Sequence, residues 1–322
     1  MTTRFPALAM ALALMAAVPG AALAQDAPNR LSLRFGWQPG LELRVTATRT
    51  RTRATTESVT RRSTARYTLT VASEGENLRI RFTDPEFETE ADADSEIPAE
   101  QAKMMDELAG LMPDFIVGRD GAFVGLYDLP GYQKRFGDFL SEIVPPDVDD
   151  ALLAKMKAML TSEAFLNARA AEEWNAIVGA WTGADFAIGV PSEYSQNEPL
   201  ALIPGAEVKM NYAFTAESVS LCRRGGVDRA CAELSMRSVA DAEDTKRVVE
   251  AFLEKLAAGK APVPMVFRTL EIENQLNVTT EPSGLIPHAY TLTKSIRGTV
   301  DTPRGPQALE QTDRTEVRYV SP

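Results

Sequence analysis

Two cysteines and one histidine are all this 322-residue chain contains of either type, and that scarcity removes several chemistries. A zinc site needs three or four Cys, His or carboxylate ligands, and beyond Cys222 and Cys231 only His288 adds a nitrogen. A Ser-His-Asp triad would have to recruit His288, yet no GxSxG elbow occurs. In "IPHAY" that histidine follows Pro287 at a strand entrance, where a turn residue is the plain reading. Long apolar runs are missing too: the run from Ala7 to Val18 is too short to span a bilayer as a permanent helix, and no later stretch is long enough. Cationic charge is in deficit: 34 Lys and Arg against 45 Asp and Glu. That balance opposes nucleic-acid binding, which needs basic surface to release counterions. No solenoid-length repeat is present. No cofactor and no metal are expected.

The N-terminus reads as an export signal. Arg4 precedes an apolar run from Ala7 to Val18, then Pro19-Gly20, then small residues at Ala22 and Ala24. Cleavage before Gln25 is expected, giving a signal peptide over 1–24 and a periplasmic protein over 25–322. Cleavage leaves no cysteine to acylate and no transmembrane helix in the mature chain. It also makes the net charge one unit more negative than the full chain's −11.

In an oxidising compartment two cysteines usually pair. The segment "VSLCRRGGVDRACAELSM" alternates on both sides of its glycines. Folded about Gly226-Val227, it places Cys222 opposite Cys231, Leu221 opposite Ala232 and Val219 opposite Leu234. Both sulfurs then share the polar face, and the aliphatic residues share the other. Closing such a loop contributes about 2.5–3 kcal/mol. A catalytic redox pair is usually CxxC, whereas eight residues intervene here. The pair reads as a staple.

Elsewhere the period of hydrophobicity organises the chain. Period-two runs over Leu31–Phe35, Leu41–Val45, Tyr67–Val71 and Leu78–Phe82 predict antiparallel strands. "EFETEADADSE" reads as a solvated acidic loop, and a helix is predicted over about 98–112. "DFIVGRDGAFVGLYDL" reads as a hairpin with a type I′ turn at Asp120-Gly121. Helices are predicted at 129–143, 148–160 and 162–181, capped by Asp128, Asp147 and Thr161, with Pro145-Pro146 separating the first two. On the third, Phe165, Trp174, Ile177 and Trp181 share a face that reads as core. Period two returns from about Leu200, with Val208, Met210, Tyr212 and Phe214 on one side. A helix at 241–258 interrupts it, and three closing strands carry Leu270 and Leu276, Tyr290 and Leu292, and Val317 and Tyr319. The expected class is α+β: one domain with a helical insert over about 98–182 in a curved antiparallel sheet, or in two half-sheets.

The phrases "FGWQPGLELRVT", "FIVGRDGAFVGL" and "EPSGLIPHAYTLTKSIRGTV" resemble those of uncharacterised exported bacterial β-rich proteins. The architecture this resemblance implies is similar to periplasmic lipid- or lipoprotein-carrier folds, in which a curved sheet cups a helical plug. It brings no catalytic residues.

Two charged stretches are candidate sites. Arg49, Arg51 and Arg53 continue the face begun by Leu41, Leu43 and Val45, and Arg61 and Arg62 follow across the turn. Five guanidiniums there could dock an anionic lipid or partner protein, or simply keep an overhanging edge soluble. Glu88, Glu90, Asp92, Asp94 and Glu96 would share one side of an extended backbone, but lack the Gly and terminal Glu of an EF-hand. The first expectation for function is a non-enzymatic carrier of an apolar or lipid-like ligand. An envelope assembly factor acting through protein contacts comes second, and a hydrolase using two carboxylates third.

Overall fold

Alternation on the two flanks builds one sheet. The structure, a computed structural model, describes residues 29–54, 58–90, 111–143, 150–199, 206–257, 266–302 and 305–322. The signal segment, most of the helix expected over 98–112, the Asp147 cap and Asp92, Asp94 and Glu96 lie outside them.

The N-terminal flank supplies β1 (Arg30–Ser32), β2 (Glu42–Ala54), β3 (Ser58–Glu74), β4 (Asn77–Glu90), β5 (Phe115–Val117) and β6 (Phe123–Leu126). Helices α1 (Leu129–Ile143), α2 (Asp150–Leu160) and α3 (Glu163–Ile177) follow, then β7 (Asp185–Ala187) and β8 (Ser192–Pro199). The C-terminal flank is β9 (Glu207–Arg224), β10 (Val227–Ala240), α4 (Ala242–Ala257), β11 (Val266–Glu281), β12 (Ile286–Thr302) and β13 (Gly305–Val320). Eleven strands form an open antiparallel sheet in the order β6-β5-β4-β3-β2-β13-β12-β11-β10-β9-β8, and β1 pairs with β7 beside it. The flanks are thus not two half-sheets. They join where β13 pairs with β2, with Tyr319 opposite Val45 and Thr315 opposite Arg49.

One sheet face is apolar and carries the helices, as alternation dictates. Leu43, Val45, Leu69, Leu234, Leu276 and Val278 are buried in one cluster with Trp174 and Trp181. On the same side, Val248 of α4 packs with Val208 and Ala240, against Ile272. No helix among the described residues is long and apolar enough to cross a membrane.

Several local expectations are corrected. The stapled hairpin turns at Gly225-Gly226, both with positive φ (57° and 77°), so Arg224 faces Val227. A type I′ turn needs φ > 0 at both central residues, which two glycines accept and the β-branched Val227 resists. The register therefore slips by two: Cys222 faces Arg229 and Cys231 faces Ser220, and the staple crosses a diagonal. Cα atoms of the pair, at disulfide distance, are 5.7 Å apart. Val219 and Leu221 face Ala232 and Ala230 and stay exposed, at 45% and 78%, because the hairpin tip extends past the core. Replacing both cysteines by serine should cost about 2–3 kcal/mol, read as a lower urea midpoint.

The turn at Asp120-Gly121 is not type I′. Gly121 alone has positive φ (88°), Gly118 accepts from the Gly121 amide at 2.9 Å, and Asp120 Oδ1 accepts from the Ala122 amide at 3.1 Å. This is a three-residue loop whose glycine also lies where a Cβ would sit 2.7 Å from the Phe35 ring. Glu86 to Glu90 are strand rather than loop: β4 runs on because Phe87 faces Ala65 and Glu88 faces Thr64, with Arg66 holding Glu88 at 2.7 Å. The third helix ends at Ile177, and Trp181 lies in a following 3-10 turn, Gly179–Trp181. Its burial against Phe214 and Phe186 overrides helix continuation past Gly179. Ser162 rather than Thr161 caps α3, accepting from the Phe165 amide at 3.3 Å. Asp128 caps α1 through the Gly131 amide, and Asp241 caps α4 through the amides of Glu243 and Asp244.

Candidate functional site

The apolar sheet face and the helices do not close completely on each other. Between β3–β5, β12 and β13 on one side and α1 and α3 on the other lies a cavity of about 500 Å³, within the ~300–1,000 Å³ range of small-molecule sites. Tyr67 and Leu69 (β3), Tyr290 (β12) and Tyr319 (β13) border it from the sheet; Tyr132 and Phe136 (α1) with Phe165 and Ile177 (α3) border it from the helices. Small residues leave the space open: Ala65 on the sheet and Ala170 on α3. One end is held rigid by aromatic packing, with Trp174 edge-on to Trp37 and Phe115 at centroid distances of 5.2 and 5.5 Å. Both indole N–H groups are satisfied by carbonyls, Trp174 by Gly121 at 2.8 Å and Trp37 by Leu285 at 3.1 Å.

Among the described lining residues only Arg169 and Glu173, one turn apart on α3, are charged. Arg169 donates to Glu172 at 2.7 Å and to Glu173 at 3.1 Å, and Lys294 of β12 reaches Glu172 at 2.5 Å. The Glu173 side chain keeps 67% of its accessible surface, so it is crowded by protein without being packed. Crowding by the surrounding protein pushes its carboxyl up, against the pull of Arg169, and with two-thirds of the side chain still in contact with solvent that push is weak. Burial also pushes Glu172 up, but Lys294 and Arg169 together outweigh it and hold the group low. Tyr67, Tyr290 and Tyr319 are all raised by burial, with Glu173 adding to it in each case, so their phenols stay protonated. A second concavity of about 430 Å³, bordered by Thr46, Thr48, Arg62, Glu316 and Arg318, lies among polar side chains on the opposite sheet face and offers little apolar enclosure.

The arginine stretch is divided. Arg49, Arg51 and Arg53 do continue the inner face, and Arg61 faces Arg51. Arg49 and Arg51 converge on Asp313, at 2.7 and 3.0 Å, and Arg53 donates to Gln311 at 3.1 Å. Hydrogen bonds from Arg49 and Arg51 outweigh burial and keep Asp313 low. Arg62 lies on the outer face, opposite Thr50 and Glu90. The five guanidiniums do not form one cationic spot.

His288 sits within β12, not at a turn. Its Nε2 lies 3.2 Å from Oε1 of buried Glu281 and 3.4 Å from Cys222 Sγ. Arg224 clamps Glu281 through Nε at 2.5 Å and its terminal nitrogen at 3.1 Å. Cys222, Cys231 and His288 bring their potential ligand atoms within 4.8 Å of one another, but both sulfurs belong to the staple, and a disulfide sulfur is a poor ligand compared with a thiolate. Sequence reasoning missed Arg169, Glu173 and the three tyrosines as a group. The available signal was a charged i, i+4 pair just before Trp174 on the helix that carries the apolar stripe. No protein-family model matches the chain, and no curated protein matches it.

Proposed function

We propose that this is a non-enzymatic periplasmic carrier that holds an apolar, lipid-like ligand between the sheet and its helices. The observation that carries the reading is the ~500 Å³ cavity walled by aromatic and aliphatic side chains with one ion pair at its border. In this reading the sheet curves around the helices, as an open twisted sheet beyond about ten strands tends to. Compartment and staple agree, since disulfides persist outside the cytoplasm. The cavity favours a carrier over a hydrolase: Glu173 is the one carboxylate among its described lining residues, where glycoside hydrolysis uses a facing pair.

The test is saturable binding of the apolar fluorophore N-phenyl-1-naphthylamine. Wild type should bind one probe per chain with a blue-shifted emission. Filling the space with Ala170→Trp, or from the sheet side with Ala65→Trp, should weaken binding by at least about tenfold, since the volume a ligand needs is taken. Circular dichroism should stay native in at least one variant. Absence of saturable binding in wild type would remove the proposal.

A further inference from the structure

We propose that the cavity also reads its ligand's head group: it takes a single-chain amphiphile whose carboxylate is held by the hydroxyls of Tyr67, Tyr290 and Tyr319 together with Arg169. This rests on the carrier reading and adds the ligand's chemistry to it.

The sheet register gathers the phenols. Tyr67 and Tyr319 both lie opposite Val45, one on each side of β2, and Tyr290 lies opposite Val317 on β12. Tyr290 and Tyr319 have centroids 6.4 Å apart, and Tyr67, across the short Val45 from Tyr319, borders the same cavity. Tyr319 is only 9% exposed. Among the described residues, none of the three hydroxyls has a protein hydrogen-bond partner, yet Thr280 Oγ1 is the orphaned side-chain atom sealed from solvent. The tyrosine oxygens are therefore not sealed, and all three side chains border the cavity. A hydroxyl that opens on a mostly apolar cavity has few partners there besides water, and a ligand atom that accepts from it takes the water's place.

Donor and acceptor counts choose the head group. Three protonated phenols offer three O–H donors. Arg169 has two nitrogens engaged by Glu172 and Glu173, which leaves part of its five-donor fork free. A carboxylate, with about four lone-pair sites, matches that set. An alcohol accepts fewer bonds and gives the guanidinium no charge to meet. Glu172 and Glu173 are the opposing charges; Lys294 and Arg169 pair with Glu172, and Arg169, Lys294 and Arg49 act against Glu173. The volume suits one acyl chain better than the several chains of a lipoprotein anchor.

Displacement of N-phenyl-1-naphthylamine by palmitate, hexadecanol and palmitoyl-lysophosphatidylcholine tests this. Palmitate should displace the probe at least about tenfold more effectively than either competitor, as expected when buried donors lose their acceptor. Tyr319→Phe and Tyr290→Phe should weaken palmitate by about five- to tenfold and leave hexadecanol unchanged. Neither substitution removes a hydrogen bond among the described residues, so both variants should melt like wild type. Equal displacement by palmitate and hexadecanol, or palmitate unaffected in both variants, would overturn the head-group assignment while leaving the carrier reading intact. So would tightest binding of the phospholipid, which would point to a phosphate. Failure of wild type to bind the probe or any of the three would strike the carrier reading itself.

Discussion

Trp181→Ala should destabilise the protein by about 3–5 kcal/mol, the cost of deleting a large buried aromatic and leaving a void. Trp181 is fully buried, edge-on to Phe214 at 5.2 Å and tilted against Phe186 at 6.1 Å. Its indole N–H also satisfies the Ala176 carbonyl at 3.0 Å, near the end of α3, and the variant returns that acceptor to competition with water. Phe165→Ala is the informative comparison. Phe165 is only half-buried and already borders the cavity, so its removal should cost no more than about 1–2 kcal/mol. Urea unfolding with a constant m-value measures both. Equal losses would mean that the cavity wall is packed like the core, which would undercut the distinction between them.

Glu281→Ala should cost about 3 kcal/mol or more, because it strands a largely buried guanidinium. Glu281 and Arg224 keep 5% and 20% of their side-chain surface, and Arg229 stands 4.0 Å away on the other carboxylate oxygen. The pair ties β9 to the end of β11, beside the staple, and His288 completes the cluster. The double variant Glu281→Leu with Arg224→Met should recover most of the loss, since an apolar pair of similar size avoids both desolvation penalties. A single substitution costing under about 1 kcal/mol would show the pair to be solvated in solution.

How far the sequence could be read varied with how local each signal is. The strands of β2, β9 and β11 were legible because burial of one face imposes alternation on their own residues. β8, "SEYSQNEP", was not: an edge strand exposed along almost its whole length carries no alternation to read. The hairpin of β9 and β10 was foreseen as a hairpin, but its register turned on whether Val227 or Gly225 takes the positive φ. The acidic stretch joined β4 because its partners, Arg62 and Arg66, lie on the neighbouring strand. Least visible was the cavity. Tyr67, Tyr290 and Tyr319 each read as ordinary inward strand positions, and only the pairing of β13 with β2, more than 250 residues apart in the chain, brings them together. Arg49 and Arg51 likewise found Asp313 through that same non-local pairing.

The most direct measurement is native mass spectrometry of the freshly purified full chain, followed by solvent extraction of whatever is released. A carrier of this design should show a population heavier than the bare polypeptide by the mass of one single-chain lipid, stripped by detergent and restored by adding palmitate. A spectrum holding only the bare mass, unchanged after incubation with palmitate, would contradict it.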